Sequence, residues 1–516
     1  SYVLPMGEGK LIPSGDSKWK QFLDGADWAG NESLSMQFFA ANKEKYSVVY
    51  VIENMFNNDL NFDTKDKIKF SFSHEFPSIN KEKEYGFRIY VTSKNPVDIT
   101  AVYKNYIKEK GKFTTLEEKA KSNENIKKLY GAPHIYLWGD GASIDLLKDM
   151  NKSGIKNAWL GFDSWTTGTK NPEFVKYANE NGYLIGTYDS YHSIQETGNE
   201  NWETASFKDK SLYENATITR KNGKKVGGFL GKGRKLNPTL SMPAVKERVE
   251  DILSTGVKFN SWFIDCDATG EFYDDYSPNH ITTQQQDMQA RLKRMEYIRD
   301  NKKMVIGSEG GNDYASQTIA FAHGIEASVP SWGDKDMREN KDSQYYVGGY
   351  WAPKGEIPPI YSKQVPIKDL YKSIYIDPAY SLPLYKLVYN NSVITTHHWE
   401  SGSLKIKDEV KDIMLYEVLY NVPPLYHLDK KTWSENKSII ASHINIWAPF
   451  HKKAITQEMT DFKVLSQDKL VQMTEYGKDL KVVANFSDKD FKYGNDVVKA
   501  KSLIIYDSGK EIKYTP

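Results

Sequence analysis

Along the first hundred residues the apolar positions come in short β-type runs. Ser47 to Ile52 is β-branched and aromatic, Lys67 to Phe72 alternates polar with apolar, and Tyr85 to Val91 repeats the pattern. These runs predict a β-sandwich-like domain over residues 1–115. From Pro96 the period lengthens: Ile99, Val102, Tyr103 and Ile107 share one helical face up to Gly111, and a charged helix is expected over Leu116 to Leu129.

From Pro133 strand and helix patterns alternate, the signature of βα units and a parallel sheet. Strands are expected at His134–Trp138, Ala158–Phe162, Tyr183–Tyr188, Trp262–Asp265, Met304–Gly307, Ile325–Val329 and Val393–Thr396. Between them fall helices at Ser143–Met150, Pro172–Asn179, Ala244–Leu253 and Thr283–Asp300, and Glu409–Leu419 closes the series. Seven or eight such units predict an α/β chain built on a (β/α)8 TIM-type barrel over residues 116–454. The rival doubly wound sheet lacks its glycine-rich phosphate fingerprint after the first strand. Short β runs at Leu470–Met473, Leu480–Ala484 and Ser502–Tyr506 then predict a small C-terminal β domain over 455–516.

Charge narrows the function. Lys+Arg 69 against Asp+Glu 68 leaves a net charge of +1, which excludes a polyphosphate partner such as nucleic acid. No stretch reaches the ~18–20 apolar residues of a membrane span. The one cysteine, Cys266, forms no intrachain disulfide. Localisation stays open between a secreted or cell-surface bacterial enzyme, its leader removed before Ser1, and a cytoplasmic one. Aromatic residues make up 13% of the chain, and many lie in polar contexts at strand ends, where flat rings beside carboxylates suit a glycan or glycoside partner.

In a barrel the residues just past each strand converge on one mouth. Here they are acidic: Asp140, Asp163, Asp189 with Tyr191 and His192, Asp265 and Asp267, and Glu309, joined by Trp138 and by His397, His398 and Trp399 after the last strand of the series, taken as the eighth. Any one Asp has a bland explanation as a helix cap, but five successive strands ending in a carboxylate do not. Alternation in Trp262-Phe263-Ile264-Asp265 aims Asp265 into the mouth, and Glu309 closes the next strand among small residues. Neighbouring strand ends bring two carboxylates to roughly 5–5.5 Å, the spacing of a retaining glycosidase, not the ~6.5–9.5 Å of an inverting one. Asp267 shares that face and is the alternative should the strand run further; Asp265 is preferred because it closes the apolar run.

The runs Phe263-Ile264-Asp265-Cys266-Asp267-Ala268-Thr269-Gly270 and Tyr273-Asp274-Asp275-Tyr276-Ser277-Pro278, followed by Glu309, resemble glycoside hydrolase family 129 and, more distantly, family 101. These are α-N-acetylgalactosaminidases acting on mucin-type O-glycans. The resemblance implies Asp265 as nucleophile and Glu309 as acid/base of a retaining α-glycosidase, with Asp189, His192 and Trp399 in contact with the sugar. α-Galactoside or α-glucoside hydrolysis, transglycosylation, and a non-catalytic carbohydrate-binding barrel are the competing readings. The chemistry requires no cofactor. Asp274 and Asp275, with Glu271 near them, could ligate calcium, or form a solvated acidic loop. His397-His398 is half of a zinc pattern, but adjacent strand residues face opposite ways and no third ligand follows, so bonds to sugar hydroxyls suit the pair better. The basic stretch Lys221–Arg234 reads most simply as a solvated hairpin, with a grip on an acidic glycan as the alternative.

Overall fold

The computed structural model describes residues 1–81, 83–326 and 332–516. At its centre eight parallel strands surround a packed interior: β1 (His134–Leu137), β2 (Trp159–Phe162), β3 (Leu184–Asp189), β4 (Ser261–Ala268), β5 (Val305–Gly310), β6 (Phe321–Gly324), β7 (Ile394–Thr396) and β8 (Leu425–Leu428). Each hydrogen-bonds to the next from β1 to β7, and β8 returns to β1, so the (β/α)8 barrel is nearly closed, with its seam between β7 and β8. Side chains bridge that seam: Thr396 Oγ1 donates to the Pro423 carbonyl at 2.5 Å, and the Leu425 N–H donates to Ser403 Oγ at 2.9 Å.

Large inward rings from alternate positions fill the interior, Tyr136, Trp159, Phe263 and Phe321 among Leu184, Val305, Ile394 and Leu425. Gly307 makes this fit, because a Cβ there would overlap the Phe321 ring. Two buried histidines complete the packing: His323 contacts His134 at 2.8 Å and the Tyr136 hydroxyl at 3.0 Å. Burial drives both far below the usual histidine range, so they are neutral hydrogen-bonding groups.

The flanking sheets are antiparallel. Before the barrel, a five-stranded sheet (Tyr2–Leu4, Lys10–Ile12, Phe38–Asn42, Ser47–Ile52, Phe87–Thr92) faces a three-stranded one (Asp27–Ala29, Asn58–Asp63, Lys69–His74) across Leu4, Trp19, Leu60 and Ile68. After it comes a five-stranded sheet running from Met459–Val464 to Lys510–Tyr514. It docks on the helix Val410–Leu419, whose terminal carbonyl at Leu419 accepts from Thr474 and Tyr476 at 2.7 and 2.8 Å.

Several expected elements shift. The strand expected at Ile325–Val329 forms earlier, at Phe321–Gly324, and residues 327–329 lie outside the described ones. The Val393–Thr396 strand is the seventh, not the eighth; the eighth is the four-residue Leu425–Leu428, too short to show a period. A 25-residue helix, Lys430–Ala454, follows it. The charged helix of Leu116–Leu129 breaks in two, because Asn123 folds back to accept its own cap bond from Asn125 and restarts the chain as a 3₁₀ turn. Among the described residues no helix is long and apolar enough to cross a membrane.

A buried charge cluster ties the N-terminal segment to the barrel. Lys386 Nζ donates to Glu326 Oε1 at 2.8 Å, Tyr416 donates to Glu326 Oε2 at 2.8 Å, and Glu8 Oε1 accepts the Lys386 N–H at 2.8 Å. Burial would raise Glu326, but Lys386 and its hydrogen bonds hold it low. Glu8, which the Lys386 ammonium approaches only to 4.0 Å, is pushed well up by burial and by Glu326. Lys386→Met should cost about 3–5 kcal/mol in chemical denaturation, because it strands a buried carboxylate. Glu8 carries the opposite sign: its raised value favours the fold at low pH, and that contribution is lost as pH climbs above 4.5 and the buried group must ionise. Glu8→Gln should therefore melt near wild type at pH 4.5 and progressively above it toward alkaline pH; a melting difference independent of pH would contradict this assignment.

Candidate functional site

The C-terminal ends of the strands open into a cavity of 1870 Å³. Asp265 on β4 and Glu309 on β5 face each other there, with a carboxylate oxygen of each and the Cys266 sulfur all within 4.8 Å of one another. One oxygen of each acid is tethered. The Tyr188 hydroxyl, from β3, donates to Asp265 Oδ2 at 2.5 Å, while Asp265 Oδ1 is buried without a partner. Glu309 Oε1 lies 2.9 Å from His398 Nε2. His398 Nδ1 accepts the Glu400 N–H at 3.1 Å, so the ring proton of the neutral imidazole sits on Nε2 and is donated to Glu309. Burial brings His398 down to about 4, which keeps it neutral.

The pair is desolvated. Burial, then the charge of Glu309, push Asp265 well above the usual carboxylate range, and burial likewise raises Glu309. Two acids this close titrate as a unit, and such a pair retains a proton at pH values where an exposed carboxyl has lost it. The Cys266 thiol is pushed up by burial and by both acids, so it remains protonated beside them. Glu271, on the other side of Cys266 from the pair, behaves oppositely: burial would raise it, but His192 at 2.9 Å and Lys235 at 3.3 Å outweigh that and hold it well below its ordinary value.

Of the residues singled out in the sequence, Trp138, Asp163, His192, His397, His398 and Trp399 line this cavity with the acid pair. Trp138 donates to His427 Nδ1 at 3.0 Å and stacks on Tyr361 at 5.3 Å. Asp163 is exposed to the cavity, and the surrounding walls raise it above its ordinary value. His192 is fixed between Glu271 and Arg291, and His397 bonds Glu417 at 2.9 Å. Trp399 stacks on His398 at 3.9 Å and meets Phe263 edge-on.

Four candidates lie elsewhere. Asp140 is exposed on the turn after β1 and accepts the Lys430 N–H at 3.0 Å. Tyr188 faces inward, so its neighbour Asp189 faces the helices, where it is buried against Arg248 at 2.9 Å and accepts the Tyr191 hydroxyl at 2.5 Å; Tyr191 is buried with it. Asp267 does not share the face of Asp265. The register of β4 against β5 slips between Ile264 and Ala268, with Cys266 in the left-handed region at φ 64°, and this bulge turns Asp267 outward into a two-pronged pair with the Arg294 guanidinium.

The carboxylates of the acidic loop are hydrogen-bonded to the surrounding chain. Asp274 accepts from Asn57 and the Gln284 N–H, and Asp275 from the Thr219 and Ser277 N–H groups, Asn237 and His280, which occupies all four carboxylate oxygens. Among the described residues, ligand-type groupings occur at Asp265, Cys266 and Glu309, and at His192, Cys266 and Glu271; the second is flanked by Lys235 and Arg291, whose charges oppose a metal ion.

Sequence reasoning passed over Tyr188 and Glu400. The first was within reach, since Leu184 is inward and period two carries that face to Tyr188. Glu400 had no local signal: it is identified only by partners from a distant insertion, Arg338 at 2.8 Å and Tyr350 at 2.5 Å.

The profile of the family described as glycosyl hydrolases related to the GH101 family, GH129, matches residues 149–475. No curated protein matches the sequence. Among solved structures, the α-N-acetylgalactosaminidase NagBb from Bifidobacterium bifidum in its GalNAc complex is 18% identical at a TM-score of 0.68, over 97% of this chain and 80% of that one. Its ligand-free form gives 18% and 0.67, over 94% and 79%. A Flavobacterium johnsoniae GH31 dextranase, FjDex31A, complexed with glucose, is 12% identical at a TM-score of 0.52, over 98% and 64%. At these identities the likeness is one of fold.

The different surroundings of the two neighbouring aspartates give a direct check. Asp267→Ala leaves a buried guanidinium uncompensated and should lower stability by about 3–5 kcal/mol. Asp265→Asn removes charge from a desolvated acid pair, so its Tm should equal or exceed that of wild type. Equal losses in the two variants, measured by thermal unfolding, would contradict these placements.

Proposed function

Because the chain belongs to the glycosyl hydrolases related to GH101, family GH129, and is a glycoside hydrolase, we propose that it is a retaining α-glycosidase acting on α-N-acetylgalactosaminides. The observation that carries the mechanism is the acid pair, whose oxygens lie within 4.8 Å. That closeness supports a nucleophile and an acid/base acting on one glycosidic bond, as in a retaining enzyme, over the wider spacing of an inverting one.

In this reading Asp265 attacks the anomeric carbon with Oδ1, the oxygen without a partner, while the Tyr188 hydroxyl holds Oδ2 and fixes the angle of attack. Glu309, steered by His398, gives its proton to the departing oxygen. Positive charge developing at the anomeric carbon draws the negative charge of the pair onto Asp265 and leaves the shared proton with Glu309. The glycosyl-enzyme is then hydrolysed as Glu309 takes a proton from water. Trp399 and His397, at the β7 end of the cavity, and His192 opposite are the candidates to contact the sugar. The N-acetylgalactosamine assignment is supported by the sequence resemblance and by NagBb, an α-N-acetylgalactosaminidase with the same fold.

A site that hydrogen-bonds an acetamido group rejects analogues lacking it, because its polar partner is left unpaired. An aryl α-N-acetylgalactosaminide should thus be cleaved well over tenfold faster than the aryl α-galactoside, and the α-glucoside more slowly still; equal or faster cleavage of the plain galactoside would overturn the sugar assignment. The mechanism is tested separately. Asp265→Ala should abolish turnover, and Glu309→Ala supplied with azide should release the α-glycosyl azide; the β-azide would exclude retention. The pH profile adds a third readout. The Tyr188 bond lowers Asp265, so Tyr188→Phe should move the acid limb of kcat/KM to higher pH, because Asp265 then ionises later.

A further inference from the structure

Beyond the acid pair the cavity widens into a rim built by two barrel insertions, residues 190–260 after β3 and 332–393 after β6. Aromatic rings lead into it from His398. Trp332 meets the His398 ring edge-on at 5.6 Å and donates to Glu400 at 3.3 Å; Tyr350 bonds the same carboxylate. Phe229 packs edge-on against Tyr350 at 5.7 Å and lies 5.6 Å from Trp202, which stacks on Trp351 at 6.2 Å with the rings 8° from parallel. These rings are held in place yet uncovered: Trp351 is 63% and Trp332 55% exposed. A connected set of exposed rings at a cavity mouth marks a binding surface.

The position identifies what it binds. If Glu309 protonates the departing oxygen, as the proposed mechanism has it, the leaving group exits past Glu309 and its partner His398, where the rim begins. Charge then selects the chemistry. Around the rim Lys170, Lys354 and Arg338 face the more numerous acids Asp163, Glu203, Glu339, Glu356 and Glu400, and Arg338 is paired with Glu400 at 2.8 Å. This excess of acids opposes an anionic ligand, and the rim offers flat ring faces with polar groups between them, which suits the C–H faces and hydroxyls of a neutral sugar.

We propose that the rim formed by Trp332, Tyr350, Phe229, Trp202 and Trp351 is a leaving-group subsite for a neutral saccharide, so that the favoured substrate carries its α-linked sugar on another sugar. This rests on the assignment of Glu309 as the acid, and the experiment separates the two. Three glycosides of α-N-acetylgalactosamine are compared, on methanol, on lactose and on the threonine of an uncharged pentapeptide. The lactose glycoside should show the highest kcat/KM, and Trp351→Ala should reduce its advantage over the methyl glycoside about tenfold, mainly through KM. Trp332→Ala should act in the same direction. An advantage unaltered by either substitution overturns the proposal, as does a preference for the glycopeptide that Trp351→Ala removes, which would make the rim a peptide site. Binding of free lactose, followed by calorimetry with wild type and Trp351→Ala, needs no catalysis. Loss of binding in the variant supports the rim even if α-N-acetylgalactosaminides prove not to be the substrate, and no binding to wild type overturns it.

Discussion

Two carboxyl groups held out of water within 4.8 Å of one another oppose their own ionisation, and the barrel mouth is organised around keeping them so. The nearest hydrogen-bonding groups, Tyr188 and His398, are neutral donors, and the thiol between the acids stays protonated. Guanidinium groups are close but committed elsewhere. Arg248 is held by Asp189, Arg291 by Asp287 and His192, and Arg294 by Asp267. A guanidinium turned inward would pull both acids down and remove the proton that general acid catalysis needs. The buried Arg–Asp pairs thus brace the strand ends without donating to either acid, and the cavity's Lys235 and Arg338 are paired with Glu271 and Glu400 instead.

The β4 bulge makes that separation work. Unbroken alternation would put Asp267 beside Asp265, giving a third buried acid next to a pair that already repels. With Cys266 in a left-handed conformation the chain gains the length to turn Asp267 outward, where Arg294 compensates it. The same feature bounds what alternation can reveal. Period two places Phe263 and Asp265 correctly, fails two residues later, and at β3 selects Tyr188 over the more conspicuous Asp189. A sequence shows which strand ends are acidic; which acids face the cavity depends on backbone geometry that a cysteine or serine in the run does not announce.

Beyond the strand ends, legibility follows the range of the interaction. Strands such as Ser47–Ile52 and β2, and the helix Gln284–Asn301 with its Thr283 and Gln286 capping box, are specified locally and were readable as such. The short β8 depends on pairing with β1, and the partition of Leu116–Leu129 depends on one asparagine's competing bond. The rim and the Glu8–Lys386–Glu326 cluster join residues 50 or more positions apart, for which periodicity carries no signal. The aromatic excess was visible in composition, but its gathering into one connected set of rings required the fold.

The N-terminal sheets are part of the cavity as well as its neighbour. The segment around Asn31 lies against the ends of β4 and β5: Asn312 donates to the Asn31 carbonyl at 3.0 Å, and a Cβ at Gly270 would overlap that same carbonyl. This contact brings the Glu32 side chain to the cavity wall, where the surrounding protein and the charge of Glu271 raise it above its ordinary value. Glu8 enters the same cavity from the neighbouring strand connection. Without these segments the acid pair would stand at an open barrel mouth, where water would screen its mutual repulsion and lower both acids toward ordinary values. The raised proton affinity on which the proposed acid/base step relies is therefore a property of the docked domains together, and a chain trimmed to its barrel would lose it even with Asp265 and Glu309 intact.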